Sequence, residues 1–142
     1  MRISNRYTSE KRTSIRGRVI RGRQIGRELG FPTANVNAYV GSLQSGVYGV
    51  VGTIKGNKYW GIMNIGVKPT FESTLRKTVV VHLFDFYKEV YGESIDCQIV
   101  FKVREEQKFP SPECLKQQIH ADVHYAIQRF NSLERYQEKS IL

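Results

Sequence analysis

Gly22, Gly26 and Gly30 recur every fourth residue and run into Phe31-Pro32-Thr33-Ala34-Asn35. Glycine at this density marks a loop that must bring backbone close to something. The run is not a P-loop: after Gly17-x4-Gly22 come Arg23-Gln24, where a Lys and a Ser or Thr are needed. Nor is it the dinucleotide fingerprint, and as a bare pattern it fits a structural turn as readily as a ligand loop. His120 and His124 stand four apart on a helical stretch, a metal-capable spacing, but no third ligand is in view, so an exposed helix face is the simpler expectation. The two cysteines, Cys97 and Cys114, have no CxxC spacing and read as free, buried thiols in a reducing compartment.

These residues must be positioned by strands. Ile15, Gly17 and Val19 alternate with Arg16, Arg18 and Ile20, which predicts a first strand. Gly46 to Ile54 and Tyr59 to Ile65 flank the turn Lys55-Gly56-Asn57-Lys58 and form a hairpin. Val67-Lys68-Pro69-Thr70 reads as a break. Lys77 to Phe86 and Ser94 to Val103 are rich in β-branched and aromatic residues and read as further strands, joined through Lys88 to Glu93. Ser111-Pro112-Glu113 then places a capping hydroxyl, a first-turn proline and an acid at the start of a helix. Leu115, Ile119, Val123, Ile127 and Phe130 continue it as an apolar stripe of about 20 residues. Strands first and one helix last argue against a doubly wound sheet and for a small antiparallel barrel with the helix outside. Residues 1–13 read as a flexible basic arm, 14–134 as the folded barrel and helix, and 135–142 as a tail.

The chain has 142 residues, 40% of them apolar, enough for one domain with its own core. Its net charge is +9, which favours anionic partners: nucleotide phosphates, nucleic acid or an acidic membrane surface. Arg2, Arg6, Lys11, Arg12, Arg16, Arg18, Arg21, Arg23 and Arg27 face only Glu10 and Glu28 within the first 30 residues. No stretch approaches the roughly 18 apolar residues of a membrane span, and the N-terminus lacks an apolar signal core. A cytoplasmic monomer is the default expectation.

The string Gly26-Arg27-Glu28-Leu29-Gly30-Phe31-Pro32-Thr33-Ala34-Asn35 closely resembles the signature loop of riboflavin kinases. Further pieces agree in order: Gly46-Val47-Tyr48-Gly49, then Asn64 to Phe71 (NIGVKPTF), then His82-Leu83-Phe84-Asp85-Phe86 with Tyr91-Gly92, then Arg104, Glu106 and Phe109 before the helix. The resemblance covers about residues 15–131. It implies an all-β fold with one C-terminal helix, a six-stranded antiparallel barrel, and conversion of riboflavin and ATP to FMN and ADP with Mg²⁺ or another divalent cation. It also implies that Thr33 and Asn35 hold metal and phosphate, and that backbone around Gly22 and Gly26, with Arg27, holds phosphate oxygens. Arg104, Glu106 and Phe109 would border the flavin ring. No adenylyltransferase domain precedes these motifs, so FAD synthesis is not expected.

One position departs from the family. Two residues before His82 the family carries a glutamate that serves as general base; here that position is Val80. A general base is worth about 10² to 10⁴-fold, so intact binding and weakened turnover are expected. His82 is the nearest alternative, but it lies about 6.6 Å further along a strand, and a supporting role suits it better. Glu72 would reach the site only if its loop folds inward, and Asp85 faces the other way on a regular strand. Three function classes stay open: a riboflavin kinase with reduced turnover, a catalytically silent flavin or nucleotide sensor, and an RNA binder using the basic N-terminal region.

Overall fold

The structure is a computed structural model that describes residues 13–21, 31–69 and 75–141. Six strands and one helix follow in order: β1 (Ser14–Ile20), β2 (Ala34–Ala38), β3 (Gly46–Ile54), β4 (Asn57–Pro69), β5 (Leu75–Leu83), β6 (Ser94–Arg104) and α1 (Pro112–Ile141). The strands close into a barrel in the order β1-β2-β5-β4-β3-β6, and every pairing is antiparallel. Closure leaves no strand edge unpaired.

Inward-pointing side chains of all six strands fill the barrel, among them Ile15, Val36, Val50, Met63, Val81 and Cys97. A second apolar layer lies between the barrel wall and α1, built from Val51, Trp60, Phe84 and Phe101 against Ala126 and Phe130. Trp60 stacks on Phe130 with ring centroids 5.0 Å apart and planes 7° from parallel. β3 is buried along almost its whole length because one face lines the interior and the other lies in this outer layer. Gly49 is essential to that layer, since the Phe101 ring occupies the space that a side chain there would need.

The structure departs from the sequence expectation in several elements, among them β5, which ends at Leu83 and not at Phe86. Ala34–Ala38 is a strand and not the end of a loop; its residues have weak β preference except Val36, and pairing on both sides with β1 and β5 holds it. β4 runs through the expected break to Pro69, where proline ends the strand and its missing N–H costs little. α1 extends to Ile141, through the stretch read as a tail. The helix start is as expected, with Ser111 Oγ accepting from the Cys114 N–H at 3.2 Å. Both cysteines are free, but Cys114 is exposed and only Cys97 is buried.

Candidate active site on the outer face of the barrel

Cross-strand partners share a face of a sheet. Val79, Val81 and Leu83 of β5 point into the core, so Thr78, Val80 and His82 point outward. Val80 stands between Asn35 of β2 and Asn64 of β4. One step along the strand, Thr78 pairs with Gly66. The position that the resemblance assigns to the base is therefore an apolar side chain within a row of polar ones.

His82 has another task. Its Nδ1 lies 2.7 Å from the carbonyl oxygen of Pro32. A carbonyl only accepts, so Nδ1 carries the proton and the lone pair is left on Nε2. Burial pulls the imidazole below its ordinary pKa, outweighing the opposite pull of the Pro32 carbonyl. The ring also meets Phe31 and Phe84 edge-on, with centroids 5.6 and 5.7 Å away, and Phe31 in turn meets His120 at 4.6 Å. His82 thus ties the chain entering β2 to the barrel wall, and His120 joins the same aromatic cluster. β5 ends at Leu83, and Asp85 sits in a left-handed turn with φ 55°. This turn takes Phe86 off the face of Val80 and His82 and packs it against the interior cluster and Tyr59.

Thr33 precedes β2 and lines a pocket of about 300 Å³ at the barrel mouth, walled by Val19, Ile54, Leu83, Val90 and Ile95. Asn35 follows two residues later, beside Val80. A hydroxyl and an amide carbonyl are hard oxygen donors. Magnesium takes oxygen ligands and fills much of its shell with water and substrate phosphates. Among the described residues no cluster of three His, Cys, Asp or Glu competes for that role. Both residues offer oxygen donors of the kind a divalent cation takes, but they line different hollows, Thr33 the barrel-mouth pocket and Asn35 a second one shared with Asn37, Tyr39 and Lys77. Gly22, Gly26, Arg27 and Glu72 lie outside the described residues.

At the end of β6, Arg104 is bound to α1. Its Nε donates to Asp122 Oδ1 at 2.9 Å, one terminal nitrogen donates to Oδ2 at 2.9 Å, and the other donates to the Glu105 carbonyl at 3.1 Å. Gln118 adds a donor to Asp122 at 2.9 Å, and the guanidinium lies 5.5 Å from the Phe109 ring centre. Arg104 and Phe109 are neighbours, and the guanidinium donors are already engaged, so Arg104 fixes the segment. Glu105 is held by Lys102 at 2.6 Å. Glu106 is exposed and has no hydrogen bond or ion pair among the described residues. Its Oε1 lies 3.2 Å from the point where a Cβ on Gly66 would stand, and Thr78 Oγ1 lies 2.9 Å from that point. Sequence reasoning gave no role to Asn64 or Thr78; only the strand register brings them beside Val80.

A closed antiparallel barrel with this polar outer row, a loop-proximal Thr and Asn, and a packed C-terminal helix defines a flavokinase-type domain. A profile described as Flavokinase: Riboflavin kinase matches residues 9–130, and the chain belongs to the riboflavin kinase family. It is 52% identical over 118 residues to an RNA-binding riboflavin kinase of Bacillus subtilis (strain 168), covering 83% of this chain and 51% of that protein. It is 43% identical over 121 residues to a bifunctional riboflavin kinase/FMN adenylyltransferase of Haemophilus influenzae, covering 83% of this chain and 39% of that protein. The chain thus spans about half, or less, of the length of these relatives. The crystal structure of riboflavin kinase from Trypanosoma brucei superposes with a TM-score of 0.62 at 24% identity, covering 87% of this chain and 82% of that one, and shows the shared fold.

Proposed function

We propose that this chain transfers the γ-phosphoryl group of ATP to the 5′-hydroxyl of riboflavin, giving FMN and ADP. The observation that carries this is the register that sets Asn35, Val80 and Asn64 side by side, two residues from Thr33 at the apolar pocket. Phosphoryl transfer depends on positioning and charge neutralisation more than on covalent participation of the protein. Thr33 and Asn35 hold the divalent cation, which neutralises phosphate charge when bound. The barrel-mouth pocket takes the nucleotide, and Arg104 and Phe109, which lie against each other, border the flavin ring. With valine at position 80 the site lacks the carboxylate that the family resemblance implies there, so turnover is reduced while binding is kept.

The same valine favours a second reading, a flavin- and nucleotide-binding regulator without turnover. RNA binding is named for one relative, and a reading of that kind here rests on the basic N-terminal region. Arg16, Arg18 and Arg21 are each engaged locally, with Asp96, the Gly92 carbonyl and the Tyr91 ring, which lowers its weight. Incubation with riboflavin and Mg-ATP, followed by chromatography for FMN, tests the proposal. FMN formation dependent on ATP and Mg²⁺ supports it. Saturable flavin and ATP binding without FMN supports the regulator, and absence of both overturns the two together.

A further inference from the structure

Removal of a base from position 80 leaves a question of chemistry: where the proton of the 5′-hydroxyl goes. We propose that Glu106 accepts it in this chain, an inference that rests on the kinase function proposed above.

Three observations converge on this residue. Its carboxylate has no partner among the described residues, whereas the neighbouring Glu105 is occupied by Lys102. The backbone before it is held in place, because Arg104 is clamped by Asp122 and also binds the Glu105 carbonyl. Its position is set by an absent side chain. The space above Gly66 is shared by Glu106 Oε1 at 3.2 Å, Thr78 Oγ1 at 2.9 Å and Asn64 Oδ1 at 4.0 Å, measured from where a Cβ would stand. Gly66 has no left-handed φ to explain its identity; the close approach does.

This space adjoins position 80. Gly66 pairs with Thr78, and Val80 is the next outward residue of the same strand. Such diagonal neighbours are about 7–8 Å apart, and a glutamate rooted at position 80 would itself extend across much of that gap toward Gly66. A carboxylate rooted at 106 therefore lies near the region that one rooted at 80 would reach. Asn64, across from Val80, and Thr78 supply polar groups that can orient the hydroxyl. In the reaction, the 5′-oxygen forms a bond to the γ-phosphorus. The bond from that phosphorus to the β–γ bridging oxygen breaks, and its electron pair leaves with ADP. The hydroxyl proton passes to Glu106 and then to water.

The test uses Glu106→Gln, Val80→Glu, the double variant and Glu105→Gln as a control, with FMN formation and flavin-fluorescence binding measured on each. Glu106→Gln should lower kcat about 10²-fold and leave riboflavin affinity within about threefold, the pattern of a group acting in the transition state. The double variant should regain turnover, because a carboxylate again reaches the hydroxyl, and Glu105→Gln should match the parent. A Glu106→Gln protein with unchanged kcat overturns the inference. So does one that loses only flavin affinity, or a double variant as slow as Glu106→Gln while Val80→Glu alone is active. An inactive parent beside an active Val80→Glu also removes Glu106 from the role but leaves the kinase site standing. If neither turns over, the kinase function itself fails.

Discussion

Arg104 and Asp122 form a two-point ion pair that fastens the end of β6 to α1, with only 17% and 3% of their side chains exposed. A carboxylate this deep is stable only while its partner stays, since an uncompensated buried charge costs about 3–5 kcal/mol. Asp122 in turn orients the strand end from which Glu106 projects.

Replacement of Arg104 by Met should therefore destabilise the chain by about 3–5 kcal/mol, because Asp122 keeps only Gln118. The double change Arg104→Met with Asp122→Leu should recover much of that loss. Urea unfolding of the three proteins measures both. Turnover should stay low in the double variant, because the segment carrying Glu106 is no longer clamped.

Gly66→Ala should preserve the fold and impair the site. The added methyl meets Thr78 Oγ1 at 2.9 Å and Glu106 Oε1 at 3.2 Å, so the exposed carboxylate moves aside. We expect kcat to fall at least about tenfold with little change in melting temperature. Equal turnover by Gly66→Ala and the parent would show that this space is not used.

How far the sequence discloses this site depends on the kind of information each residue needs. The alternation of Ile15 to Ile20 and the apolar stripe from Leu115 to Phe130 are local patterns, and a strand and a helix form there, although the helix runs on to Ile141 and leaves Ile127 exposed. The start of α1 is equally local, fixed by Ser111 and Pro112. β2 is not legible, because Ala-Asn-Val-Asn-Ala is held by strands on either side and not by its own preference. The row Asn35–Val80–Asn64 joins residues far apart in the chain and exists only through register. The placement of Glu106 is further removed still. It depends on an ion pair to the helix and on a glycine 40 residues earlier in the sequence.

His82 gives a pH signature. Its pKa is lowered in the folded state, so the unfolded chain binds this proton first as pH falls. The stability that His82 contributes is complete above its ordinary pKa of about 6.5 and is lost progressively as pH falls toward the lowered folded value. His82→Asn should flatten that part of the stability curve. Denaturant midpoints between pH 8 and pH 5, taken as the difference between parent and variant, isolate the contribution. Parallel curves would contradict it.

The cysteines should separate cleanly toward a thiol reagent. Burial, with a smaller push from Asp96, raises Cys97 to about 12, whereas Cys114 is exposed. Because the thiolate is the nucleophile, one equivalent should react in native buffer and two in denaturant. Cys114→Ser should abolish the native reaction.

The proposed kinase function predicts that restoring a carboxylate at position 80 speeds FMN formation. The most direct measurement is FMN formation from riboflavin and Mg-ATP by the parent and by Val80→Glu under identical conditions. We predict measurable turnover by the parent and a rise of about tenfold to a hundredfold in Val80→Glu, within the range a well-placed base supplies. A Val80→Glu protein that folds and binds flavin but turns over no faster than the parent would contradict the account.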